Sequence, residues 1–134
     1  MRQALALAAA AAALCACGAS AAAATPTRIA FGLGGGTVVP FRVVIEPTGS
    51  VRANGSRSVT HRRLSRRTVL ALDREVRSAF RSGLASRQCP GTNPDVGTDF
   101  VTLGRRTVVV HGSCEPRFQR LWNALAQAVG LRFG

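Results

Sequence analysis

Lysine is absent from this chain, and acid is scarce: 6 Asp and Glu stand against 18 basic side chains, all of them arginine. The resulting net charge of +12 is extreme for 134 residues. Large apolar anchors are also few, six Phe and one Trp. Hydrophobic content is nevertheless 46%, which excludes a disordered polycation and leaves material for one small core. The length leaves room for one domain. A multidomain enzyme, a long coiled coil and a multi-span membrane protein are thereby excluded.

The motifs of catalysis are missing as well. There is no G-x-S-x-G elbow, no H-E-x-x-H, no P-loop and no paired C-x-x-C set. His61 and His111 are the only histidines, and six acids offer few partners for a metal ligand set. The expectation is a chain with no catalytic residue, no metal and no cofactor.

What is there begins with an export signal over residues 1–24. Arg2 supplies a short positive start, and Ala4 to Ala16 is an uncharged Ala/Leu run too short to span a bilayer. Two cleavage readings stand open. Leu14-Cys15-Ala16-Cys17 fits a lipobox in which Cys17 carries the lipid and tethers the mature chain to a membrane face. The alternative is cleavage at an A-x-A site within Ala19 to Ala24. Either cut removes one arginine and no acid. Cys89 and Cys114 then remain as an even pair in an exported chain, which reads as one structural disulfide.

Residues 27–134 read as a single domain without repeats or internal linkers. Thr27 to Leu33 is a strand candidate, broken by Gly34-Gly35-Gly36. Phe41, Val43 and Ile45 alternate with Arg42, Val44 and Glu46, the period of a strand with one buried face. Pro47-Thr48-Gly49 turns the chain into a partner strand at Ser50 to Ala53. Ser65 is placed to cap a helix whose face is Val69, Leu72, Val76, Ala79 and Phe80, ended by Gly83. After a Pro/Gly loop, Asp99 to Leu103 and Thr107 to His111 form a second hairpin. The run Val108-Val109-Val110 predicts a central strand buried on both faces. Pro116 opens a last helix carrying Phe118, Leu121, Trp122, Leu125 and Val129, with Gly130 just past its end. The predicted class is α+β: a small antiparallel sheet of two hairpins, packed by two helices on one face.

Two surface features ask for a function. The glycines with Thr37, residues Gly34, Gly35, Gly36 and Thr37, lack the spacing of a phosphate loop. They read as a flexible loop that lets a partner's backbone approach. Arg62, Arg63, Arg66, Arg67, Arg74, Arg77 and Arg81 form a candidate basic face. Aromatics are not interleaved with it and export removes nucleic acid from reach, so its expected partners are anionic envelope polymers or lipid headgroups. The plainer reading, a solvated face in an arginine-rich chain, is preferred. Asp95, Asp99 and His111 are the residues a small hydrolase would use. The two acids are better read as turn residues of a Pro/Gly loop.

The span from Ile29 to Val129 resembles the small single-domain proteins of the emfourin type, inhibitors of thermolysin-like metalloproteases. The resemblance rests on Ile29 to Leu33, Gly34-Gly35-Gly36, Phe41 to Ile45, the helix opened by Leu64-Ser65 and ending in Phe80, a hairpin, and a closing helix begun by Pro116. Thr37 stands where the family has an aromatic. The resemblance implies a protein-binding loop around Gly34 to Thr37. The sequence therefore points first to an exported, non-enzymatic domain that binds a protein partner, with a protease as the concrete candidate. The alternative is an arginine-rich module for anionic envelope surfaces. No nucleic acid is expected, and membrane contact only through a lipid on Cys17.

Overall fold

The lone tryptophan marks the centre of the core. In the computed structural model, which describes residues 25–132, Trp122 sits edge-on against both Phe31 and Phe41 at centroid separations of 5.6 and 6.2 Å. Those two rings belong to neighbouring strands, β1 (Ile29–Gly34) and β2 (Phe41–Ile45). The chain continues through β3 (Val51–Gly55), β4 (Ser58–Val59), α1 (Arg66–Arg81), β5 (Arg87–Gln88), β6 (Thr98–Leu103), β7 (Arg106–His111), α2 (Pro116–Val129) and β8 (Leu131–Arg132).

Six strands form one sheet in the order β3-β2-β1-β6-β7-β5. All its pairings are antiparallel except β5 with β7. The two expected hairpins are present and are joined edge to edge by β1 and β6. The class is α+β as the sequence implies, but the sheet is larger than two hairpins and it is mixed. The added strand β5 is two residues long, held by the Cys89 amide donating to the His111 carbonyl at 2.9 Å and by the disulfide that follows. A second ribbon pairs β4 with β8. Strands this short have no readable period.

Register builds the core in rows. Val43, Phe31, Val101 and Val108 lie side by side across four strands, and Ile45, Ile29 and Leu103 form the next row. Val69, Leu72, Val76 and Phe80 of α1 and Phe118, Leu121, Leu125 and Val129 of α2 close over the same face in one buried cluster. Full burial of each such side chain is worth about 1.5–3 kcal/mol. The helix ends follow local chemistry. Ser65 Oγ accepts from the Thr68 amide at 3.1 Å, and Gly130 adopts the left-handed conformation at φ 61°.

One expectation fails. Val109 does not lie in a strand buried on both faces: it is 37% exposed, between buried Val108 and Val110. Both helices pack on one side of the sheet, so the alternate residues of β7 face the other, open side.

Candidate functional site

The end of the sheet reached by the β1–β2 turn gathers the features that the sequence singled out. Gly34 closes β1, while Gly35 and Gly36 turn at φ 72° and 60°. This turn is tied down. The Thr37 amide donates to the Asp95 carbonyl at 3.1 Å, and Thr37 Oγ1 donates to the same oxygen at 3.2 Å. A Cβ on Gly36 would meet the Asp95 and Val96 backbone. The loop expected to be flexible is thus stapled to the connection between β5 and β6. The signal for this was Gly36 itself, since a glycine at positive φ also allows close backbone approach.

The β5–β6 connection is itself braced. Cys89 and Cys114 form the expected disulfide, with Cα atoms 5.6 Å apart. The Asp95 amide donates to Asn93 Oδ1 at 2.9 Å, and the Val96 amide to the Asn93 carbonyl at 3.1 Å. Two valines remain outward on this end, Val39 at 67% and Val96 at 47% exposure. A cavity of about 560 Å³ opens beside the disulfide, lined by Asn93, Asp99, Ser113 and Gln119 among others.

The three residues considered for hydrolysis are not brought together. Asp95 is a turn residue, as read. Asp99 is not: it lies in β6, paired with Leu33 and Val110, where the core row would take an apolar side chain. Burial there pushes its carboxyl above the ordinary range, an effect that the Gln119 side chain partly offsets by hydrogen bonding. His111 points to the opposite face, being cross-strand from Thr98 rather than from Asp99. Its Nε2 donates to the Val96 carbonyl at 2.9 Å, and its Nδ1 accepts from the Gln88 amide, so both ring nitrogens are engaged. Among the described residues no cluster of His, Cys, Asp and Glu could hold a metal ion. His61 is exposed in the segment before α1.

The arginines divide. Arg62, Arg63, Arg66, Arg67, Arg74 and Arg81 are exposed. Arg77 is instead bound into the fold. Its Nε donates to Asp73 Oδ2 at 2.6 Å and its Nη2 to Thr27 Oγ1, while Asp73, buried, also accepts from the Thr27 amide at 2.8 Å. The hydrogen bond to Asp73 raises the Arg77 pKa further. Two arginine groupings escaped the sequence reading because they form across strands. Arg52, Arg57 and Arg62 line one pocket of about 340 Å³. Arg28 and Arg52 converge on Glu46, where Arg28 leads in holding the carboxyl below its ordinary range.

The expected lipid site, Cys17, and the rest of the signal lie outside the described residues. No described helix is long and apolar enough to cross a membrane. No family model, curated protein or solved structure matches the chain.

Proposed function

We propose that this chain is an exported, non-enzymatic binding domain that engages a protein partner through the loop end of its sheet. A secreted or envelope protease is the most concrete partner, in keeping with the emfourin-like order of elements. The observation that carries the reading is the bond from the Thr37 amide to the Asp95 carbonyl. It joins the glycine turn and the disulfide-braced loop into one surface with Val39 and Val96 outward. A surface held in shape before contact loses less conformational freedom on binding. Titration of the oxidised protein against a thermolysin-like metalloprotease and a panel of other secreted proteases tests this. A stoichiometric complex with one of them is expected, weakened at least tenfold by Gly35→Trp and by Val96→Asp. Absence of any complex, or wild-type affinity of both variants, overturns it.

A second reading has its own observation, the gathering of Arg52, Arg57 and Arg62 around one pocket beside the exposed Arg63, Arg66 and Arg67. It supports binding of anionic envelope polymers. Such binding would collapse as salt rises past physiological strength, because exposed charges are screened. Salt-insensitive binding would remove it.

A further inference from the structure

The open face of the sheet holds a groove that meets the loop end only at Gly34 and Gly35. Its floor is the glycine end of β1, flanked by Arg42 of β2 and by Thr98, Phe100, Thr102, Thr107 and Val109 of β6 and β7. It encloses about 340 Å³, within the range that small ligands occupy.

Gly32 makes the groove. It pairs with Arg42 on one side and Phe100 on the other. A Cβ there would collide with the Phe41 carbonyl oxygen and come within 3.1 Å of Phe100 Cε1. Bare backbone therefore lets the Arg42 guanidinium and the Phe100 ring meet across the strand, 5.6 Å from Cζ to the ring centroid. Two positions on, Gly34 has open space where a side chain would stand. The glycine strip beside that pair, at Gly34 and Gly35, carries no side chains.

Among the described residues Arg42 has no ion pair: Glu46 takes Arg28 and Arg52, Asp73 takes Arg77, and Glu115 takes Arg117. Contact with a ring restrains a long side chain without consuming its N–H donors, which leaves a fork suited to a carboxylate. Threonine hydroxyls stand on the other wall, Thr102 and Thr107 bonded to each other at 2.9 Å. Val109, partly exposed, adds apolar surface beside Phe100.

We infer that this groove binds a carboxylate carrying a short apolar group, with the carboxylate on Arg42 and the apolar part over the glycine strip against Phe100 and Val109. One guanidinium matches one negative charge, and the apolar wall rejects a fully hydrated anion. That chemistry occurs in a short-chain organic acid and in the C-terminal residue of an aliphatic peptide. The inference does not rest on the loop-end reading, although the groove shares Gly34 and Gly35 with that loop.

The fold supplies a reporter. The Trp122 indole N–H donates at 3.2 Å to the carbonyl of Gly32, two residues before Gly34 in the groove floor, and the chain has one Trp. In ¹H–¹⁵N spectra of the oxidised full chain, hexanoate is expected to move the indole signal and the Gly34, Gly35 and Thr98 amides saturably. Hexanamide should bind at least tenfold more weakly, as should hexanoate to Arg42→Gln. Arg81→Gln should leave hexanoate affinity unchanged. Should Arg42→Gln not fold, Val109→Glu, at an exposed position, sets a fixed carboxylate at the groove and should abolish binding. Acetyl-Ala-Val with a free carboxylate binding more tightly than hexanoate would assign the site to peptide C-termini, and the reverse to free acids. Equal binding of hexanoate and hexanamide, unchanged affinity in the folded variant, or no saturable shift with either acid overturns the inference.

Discussion

Trp122 Nε1 donates to the Gly32 carbonyl oxygen at 3.2 Å, a bond from the helical layer to the middle of the sheet. It gives the largest side chain of the core a single orientation, edge-on to Phe31 and Phe41. It also explains how a buried indole N–H is satisfied, as it must be when water is excluded.

Replacing Trp122 with Phe keeps an aromatic but loses this bond and leaves a void. The lost bond costs about 1 kcal/mol and the lost volume a similar amount, so a fall of about 2 kcal/mol is expected. Urea unfolding followed by circular dichroism checks it: the midpoint should drop with the slope unchanged. Gly32→Ala should cost more, because the atom it meets is backbone, the Phe41 carbonyl, which has no rotamer to escape into.

Asp73 and Arg77 should behave as structure and their neighbours as surface. Asp73→Ala removes the acceptor of both the Arg77 guanidinium and the Thr27 amide. A loss of about 2 kcal/mol is expected, toward the low side for a broken pair because Arg77 is 41% exposed. Arg74→Ala and Arg81→Ala should change stability by less than about 0.5 kcal/mol. Equal effects of Asp73→Ala and Arg74→Ala would mean that the Arg77 and Thr27 ties contribute nothing.

That contrast shows what was legible. Arg74, Arg77 and Arg81 share a helical period, so the sequence puts them on one face. What removes Arg77 is Asp73, four residues before it, together with Thr27, 50 residues away. Caps and periods are local, which is why Ser65, Gly83, Pro116 and the apolar faces of both helices read correctly. Gly36 was legible as a turn glycine but not as the seat of Asp95, and Asp99 read as a turn acid because its place in a core row depends on register with Leu33. Val109 looked buried because a valine run says nothing of how many faces the helices cover. The Arg42–Phe100 groove needed three strands in register before it existed at all.

The disulfide closes a loop spanning a separation of 25 residues. Chain-entropy arguments give such a closure about 3 kcal/mol. The Cys89→Ala, Cys114→Ala double variant should lose about that much by thermal or urea unfolding. It should also loosen β5, whose pairing to β7 covers only Arg87 and Gln88. Faster hydrogen exchange at the Cys89-position amide, bonded to the His111 carbonyl, would show it. Unchanged protection there would mean that β5 is held by its backbone bonds alone.

Asp99 should make the protein less stable at neutral pH than an amide in its place. Burial raises its folded carboxyl pKa above the unfolded value, so the native state holds the proton more tightly. Below the unfolded value, about 4, both states are protonated and no stability is lost. As pH climbs through the raised folded value, stability is lost, and the deficit is constant thereafter. Asp99→Asn removes the charge, and its amide oxygen still offers Gln119 an acceptor. The variant should therefore unfold at higher urea than the wild type at about pH 7, with the gap closing on acidification. A wild type more stable than Asp99→Asn at neutral pH would show that hydrogen bonding to the ionised carboxylate outweighs its burial.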